Sequence, residues 1–89
     1  MMQGHVVIQN KLGLHARPSA QFVALARQFA CDIQVQRLDI IVNGKSLMAI
    51  LTLAASQGTL LTIITKGQHE QEALQALCAL VNSGFGEAL

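Results

Sequence analysis

At 89 residues, 52% of them hydrophobic, the chain has material for one compact domain over residues 1–89, with its own core and little left for a second. Charged residues make up 12%, the formal net charge is +1, and there is no basic run, tryptophan or tyrosine, so neither nucleic acid nor an anionic membrane surface is an expected partner. The longest nearly uninterrupted apolar run, Leu47 to Ala55, falls well short of the roughly 20 residues of a bilayer-spanning helix. Met1 to Asn10 lacks the cationic start and apolar block of a secretion signal, so the expected compartment is the cytoplasm and no membrane insertion is expected.

In chain order, the β-branched run Val6, Val7 and Ile8 predicts a first strand that ends at Gln9 and Asn10. After a loop through Lys11 to Leu14, the residues Phe22, Leu25, Ala26 and Phe29 recur at the spacing of one buried helix face. Pro18 suits the first turn of that helix, which begins between His15 and Pro18, because its missing N–H removes no internal hydrogen bond there. Ile33 and Val35 alternate with Gln34 and Gln36, predicting a strand over Asp32 to Gln36 with Ile40 to Val42 as its hairpin partner. The turn between them has no glycine. Ser46 can cap a short helix carrying Leu47, Met48, Ile50 and Leu51. Thr59 to Lys66 reads as a further strand. Ala73, Leu77, Leu80 and Val81 give the apolar face of a last helix, with Glu70 and Glu72 near its positive end and Gly84 at its stop. The order β-α-β-β-α-β-α predicts an α+β fold, an antiparallel sheet with helices on one face and solvent on the other. Cys31 and Cys78, distant in sequence and set among apolar neighbours, are expected to be reduced core residues.

The segment Gly13-Leu14-His15-Ala16-Arg17-Pro18 brings an imidazole, a guanidinium and a helix start within six residues. A helix start presents N–H groups without internal partners and a partial positive charge, which favours an anion. Ala16 and Arg17 can offer such donors and Pro18 cannot; the Arg17 fork adds a permanent charge that matches phosphate oxygens. The same positive surroundings disfavour protonation of His15 and so favour the lone pair that attack on phosphorus requires. A histidine at a helix start is more often a capping or surface residue, so the single ring by itself does not establish this chemistry. Other motifs carry less. Gly44-Lys45-Ser46 lacks the first glycine of a nucleotide-binding loop, since Asp39 stands there. His5 and His69 have no neighbours at metal-ligand spacing, so no metal is expected.

The six-residue string closely resembles the active-site motif of HPr, the histidine-containing phosphocarrier family of the bacterial phosphotransferase system. The likeness runs on through Gln21-Phe22-Val23 and Asn43-Gly44-Lys45-Ser46-Leu47-Met48 to the last helix, without an evident gap. It implies the HPr-like open-faced β-sandwich, a four-stranded antiparallel sheet with three helices on one face. It also implies that Nδ1 of His15 accepts a phosphoryl group from enzyme I, which draws it from phosphoenolpyruvate, and donates it to an enzyme IIA domain. Arg17 and the Ala16 amide would assist, and no cofactor is required. Leu14, Ala20, Arg27, Leu47, Met48 and Leu51 would form the partner-binding surface. Ser46 matches a position that an ATP-dependent HPr kinase/phosphorylase modifies in many members; two added negative charges on that apolar surface would hinder docking.

Two departures stand out. Ala24 lies where several relatives carry a basic residue, leaving Arg27 as the main cation of that helix, and the turn around Leu38, Ile40 and Ile41 is unusually apolar. Within the family, the Ser46 context favours the sugar-uptake type, whereas the Asn82-Ser83-Gly84-Phe85 ending resembles the regulatory nitrogen-related branch. A different class, an α+β binding module whose histidine is never phosphorylated, would share the fold.

Overall fold

In a computed structural model covering residues 1–89, strand β1 (Met2–Val7) leads into helix α1 (Ala16–Ala26). Strands β2 (Asp32–Arg37) and β3 (Ile40–Asn43), helix α2 (Leu47–Thr52), strand β4 (Leu60–Lys66) and helix α3 (Glu70–Asn82) follow. The four strands form one antiparallel sheet in the order β1-β4-β2-β3, so the last strand in sequence fills the gap between the first and the second. The period-2 pattern sets its two faces. Ile33 and Val35 of β2 and Leu61, Ile63 and Thr65 of β4 point into the core, while Gln34, Thr62 and Ile64 lie toward the other face. Helix α3 lies against β1 and β4, α2 against β3, and α1 packs on both α2 and α3. This is the predicted arrangement of four antiparallel strands with three helices covering one side.

The boundaries correct the sequence reading in three places. Strand β1 starts at Met2, four residues ahead of the β-branched run, because Met2 through Val7 pair along β4 from Thr65 to Leu60. Gly4 lets the helix behind it pack closely: a Cβ there would stand 3.2 Å from the Cys78 Sγ and 3.3 Å from a Leu74 methyl. Helix α1 ends at Ala26, so Phe29 packs on the core from the turn beyond it and Val23 joins the buried face. In α3 the buried face is Ala73, Leu74, Leu77 and Val81, with Leu80 only partly covered. Cys31 is buried and Cys78 partly exposed; both are free thiols, and burial pushes the Cys78 thiol upward from its ordinary value.

The glycine-free turn is a tight one. Arg37 pairs with Ile40, leaving Leu38 and Asp39 as the whole loop. Leu38 takes φ +55° with its side chain 82% exposed, so it is held in left-handed geometry without any compensating burial. Such a residue costs roughly 1–2 kcal/mol relative to an unstrained one, a cost that glycine avoids while losing some chain entropy. Leu38→Gly is therefore expected to stabilise the fold by about 1 kcal/mol. A rise in the denaturation midpoint at unchanged slope is the measurement that checks it.

Candidate functional site

The loop between β1 and α1 is fixed by the interior of the protein. Asn10 is fully buried, its carbonyl accepts the Gly13 N–H at 3.1 Å, and its side-chain Nδ2 donates to the Gly13 carbonyl at 2.8 Å. Gly13 sits at φ +70°, and a Cβ on it would fall 2.6 Å from the Ala55 carbonyl oxygen. Only glycine fits that crossing. One residue on, the Leu14 N–H donates to the same carbonyl at 2.8 Å. Leu14, expected on the partner-binding surface, is instead core: it is 6% exposed, its carbonyl accepting the buried Ser19 hydroxyl at 3.1 Å. Its apolar side chain anchors the loop from below.

His15 follows as the residue that caps α1. Its backbone is extended, its carbonyl takes the Ser19 N–H at 3.1 Å, and its side chain makes no capping bond. The ring is thereby free to face outward, with 38% of the side chain exposed. The Ala16 and Arg17 amides lie in the first turn, before any carbonyl of the helix can reach them, and Pro18 is buried behind them. Arg17 is exposed.

Two residues of the site were not anticipated from the sequence. Beyond α3 the chain passes through Gly84, Phe85 and Gly86, all at positive φ, with the Phe85 side chain buried as the anchor. This reverses the tail toward the β1–α1 loop, where the Lys11 N–H donates to the Ala88 carbonyl at 2.9 Å. Glu87 then lays its carboxylate on the ring edge of His15, both oxygens 3.0 Å from Nε2. Oε1 also accepts the second N–H of Asn10 Nδ2 at 3.0 Å. Hydrogen bonding from His15 holds the Glu87 carboxyl below the ordinary carboxylate range, with further help from Asn10 and the Arg17 charge against the opposing effect of desolvation. Seventy-two positions separate Glu87 from His15, and no local pattern announces the meeting.

Such an arrangement can receive an anion: a partly exposed imidazole, two backbone donors at a helix start and an exposed guanidinium. Comparison with known proteins agrees. Residues 2–83 match the family model described as the phosphotransferase-system HPr component phosphorylation site. The chain belongs to the HPr family. It is 46% identical over 87 residues to the phosphocarrier protein HPr of Neisseria meningitidis, covering 98% of each chain. It is 44% identical over 81 residues to the HPr-like protein Crh of Bacillus subtilis, covering 91% of this chain and 95% of that one. The HPr crystal structure from Thermoanaerobacter tengcongensis superposes over the full length of both chains with a TM-score of 0.96 at 44% identity. The fold is thus that of HPr, a phosphocarrier of the phosphotransferase system, and no helix is long and apolar enough to cross a membrane.

The remaining residues expected at an HPr-type docking surface lie on α1 and α2. Ala20, Arg27, Leu47 and Met48 are exposed, Met48 at 75%, and Leu51 is half-buried. Arg27 Nε donates to the Lys45 carbonyl at 3.0 Å, tying the end of α1 to the start of α2. Ser46 caps α2, its hydroxyl accepting the Ala49 N–H at 3.3 Å.

The lowered Glu87 titration gives the tail a pH dependence. A carboxyl whose folded-state value lies below its unfolded one contributes stability above the unfolded value and loses it as pH falls through the folded value. Docking of residues 87–89 should therefore hold at neutral pH and fail in acid below the ordinary carboxylate range, while the sheet remains folded. The Lys11 amide proton resonance, followed from neutral pH into acid, should report this release; Glu87→Gln should flatten that titration.

Proposed function

We propose that the chain is a covalent phosphoryl carrier of the sugar phosphotransferase system, in which Nδ1 of His15 accepts a phosphoryl group from phospho-enzyme I and gives it up to an enzyme IIA domain. The observation that carries this reading is the placement of a partly exposed imidazole on the capping residue of α1, beside two free amides and Arg17. The ring supplies a lone pair, and the phosphoryl oxygens meet the Ala16 amide and the Arg17 guanidinium, which offset charge where it accumulates. The N–P bond formed is of high transfer potential, so the carrier needs only to hold the group and present it. Ala20, Arg27, Leu47, Met48 and Leu51 form the surface that enzyme I and enzyme IIA domains share, an apolar patch with one cation at its edge.

Ser46 is proposed as the control point for that surface, modified by HPr kinase/phosphorylase. A phosphate on it would bring close to two negative charges beside Leu47 and Met48 and oppose docking by desolvation. The alternative reading is a regulatory phosphocarrier of the nitrogen-related branch, supported by the resemblance of the Asn82-Ser83-Gly84-Phe85 ending. Transfer assays with each class of enzyme IIA separate the two by rate.

With enzyme I and phosphoenolpyruvate, intact mass should show one added phosphoryl group that is lost on acid treatment. His15→Ala should abolish it and Arg17→Ala should slow its transfer on the order of 10²-fold; uptake that survives in His15→Ala, or that resists acid, overturns the assignment. Incubation with the kinase and ATP should give an acid-stable phosphoserine that Ser46→Ala removes. The same substitution should cost roughly 1 kcal/mol of stability through loss of the cap, measured by chemical denaturation.

A further inference from the structure

The contact between Glu87 and the ring edge of His15 has chemical content beyond anchoring the tail. We propose that Glu87 is a positioning residue for phosphoryl transfer: its carboxylate holds the proton of the neutral imidazole on Nε2, so that the lone pair available for attack lies on Nδ1. The inference rests on the carrier reading above for the identity of the reaction, and on three observations for the role of Glu87.

The first is the donor and acceptor inventory. An ionised carboxylate only accepts hydrogen bonds, so an imidazole nitrogen 3.0 Å from both of its oxygens must carry the proton. Nδ1 has no hydrogen-bond partner within the protein and is left bare. Asn10 supplies the second observation. Its Nδ2 can only donate, and it donates to Oε1, the oxygen that also faces His15, so that atom is fixed as an acceptor from two directions. The third is burial: the Glu87 side chain is only 16% exposed and is held by the reversed backbone of Gly84, Phe85 and Gly86, so the acceptor is positioned before any partner arrives. Its depressed titration keeps it ionised at neutral pH.

The electron balance follows. The Nδ1 lone pair forms the new N–P bond while the bond from phosphorus to the donor's leaving group breaks, its electron pair departing with the donor. Nδ1 has no proton to lose, so no base is required. The ring now bears Nε2–H and Nδ1–P and is formally cationic, and the Glu87 carboxylate lies against that charge. In the onward step the N–P electron pair returns to Nδ1 and the ring leaves as neutral imidazole, which is possible because Nε2 has kept its proton throughout. A free imidazole already prefers this tautomer modestly; Glu87 converts the preference into near exclusivity and stabilises the phosphorylated ring.

The test reads the tautomer directly and separately from transfer. In 15N-labelled protein at alkaline pH, where the imidazole is neutral, two-bond proton–nitrogen correlation should show a protonated Nε2 and a bare Nδ1, widely separated in shift. Glu87→Ala should draw the two nitrogen shifts toward each other and slow phosphoryl uptake from phospho-enzyme I about tenfold, as loss of a charge-assisted bond implies. Glu87→Gln should keep the separation, because Asn10 still orients an oxygen toward the ring, yet lose part of the rate with the charge. Unchanged nitrogen shifts in Glu87→Ala, or a wild-type ring protonated on Nδ1, overturn the role of Glu87 even where uptake is normal. Absence of uptake by wild-type protein whose shifts are as expected overturns the carrier reading instead, and the transfer role with it.

Discussion

One buried amide organises the site. Asn10 is sealed from solvent, and each N–H of its side chain is used: one fixes the Gly13 carbonyl in the loop that delivers His15, the other fixes the Glu87 carboxylate that meets the His15 ring. The amide cannot be reversed, since its oxygen would then face a carbonyl and a carboxylate. The orientation leaves Oδ1 buried without a partner in the protein, an uncommon state for a polar atom in a folded chain and one that tends to occur near functional groups. Removing one partner of such an arrangement leaves the others unsatisfied, at about 1–3 kcal/mol for each buried group. Loop, ring and tail are therefore energetically one unit, although they come from opposite ends of the sequence.

How much of this the sequence discloses depends on the range of each interaction. Period-2 and period-3.6 patterns are local, so the strands around Ile33 and Ile63, the α1 face with Phe22 and Ala26, and the α3 face with Leu77 and Val81 could be read directly. The same holds for the Ser46 cap and for His15 at a helix start, both set by a few adjacent residues. The failures have a common cause in tertiary context. The outer half of β1 has little strand propensity and exists because β4 offers it partners, with α3 pressed close over Gly4. Leu14 is expected at the contact surface only through the family resemblance, yet the loop turns it inward, its N–H bonded to the Ala55 carbonyl at 2.8 Å. Asn10 and Glu87 carry no signature at all: an asparagine after a strand ordinarily means a turn, and a glutamate near a chain end ordinarily means solvent.

The tail shows why the second of those defaults fails. Gly84 and Gly86 accept left-handed geometry without steric penalty, but Phe85 between them does not, and its placement at φ +57° is sustained by burial of the ring to 4% exposure. The strain and the apolar contact oppose one another within a single residue. Burial of an aromatic side chain is worth more than a single left-handed residue costs, so the reversal is stable, and it places Glu87 rather than either neighbour over His15. By contrast Leu38 bears similar backbone strain with its side chain in water, so nothing in the fold offsets it. Similar φ angles thus mean different things at the two positions: at Phe85 the strain is the means of directing the tail, and at Leu38 it serves only to close a hairpin.

A carrier must bind a dianion firmly enough to retain it between partners and loosely enough to surrender it, and on the proposed reading the charges around His15 are divided in a way that would meet both demands. The amides of Ala16 and Arg17, with the guanidinium, are positive and unpaired within the helix, and on that reading they would stabilise the incoming oxygens. Were they the only influence, the ring would be held among positive groups alone and its own positive charge, which must develop as the N–P bond forms, would be resisted. Glu87 supplies the missing counter-charge at Nε2, the other nitrogen of the ring, where it faces the developing charge of the imidazole and not the phosphoryl oxygens. Separation of the two signs across the ring lets each stabilise its own part of the phosphorylated state without cancelling the other. Because the Arg17 guanidinium lies in solvent its hold on the phosphoryl oxygens would stay weak, and because the Glu87 carboxylate faces the ring and not those oxygens, the bond between nitrogen and phosphorus would stay reactive.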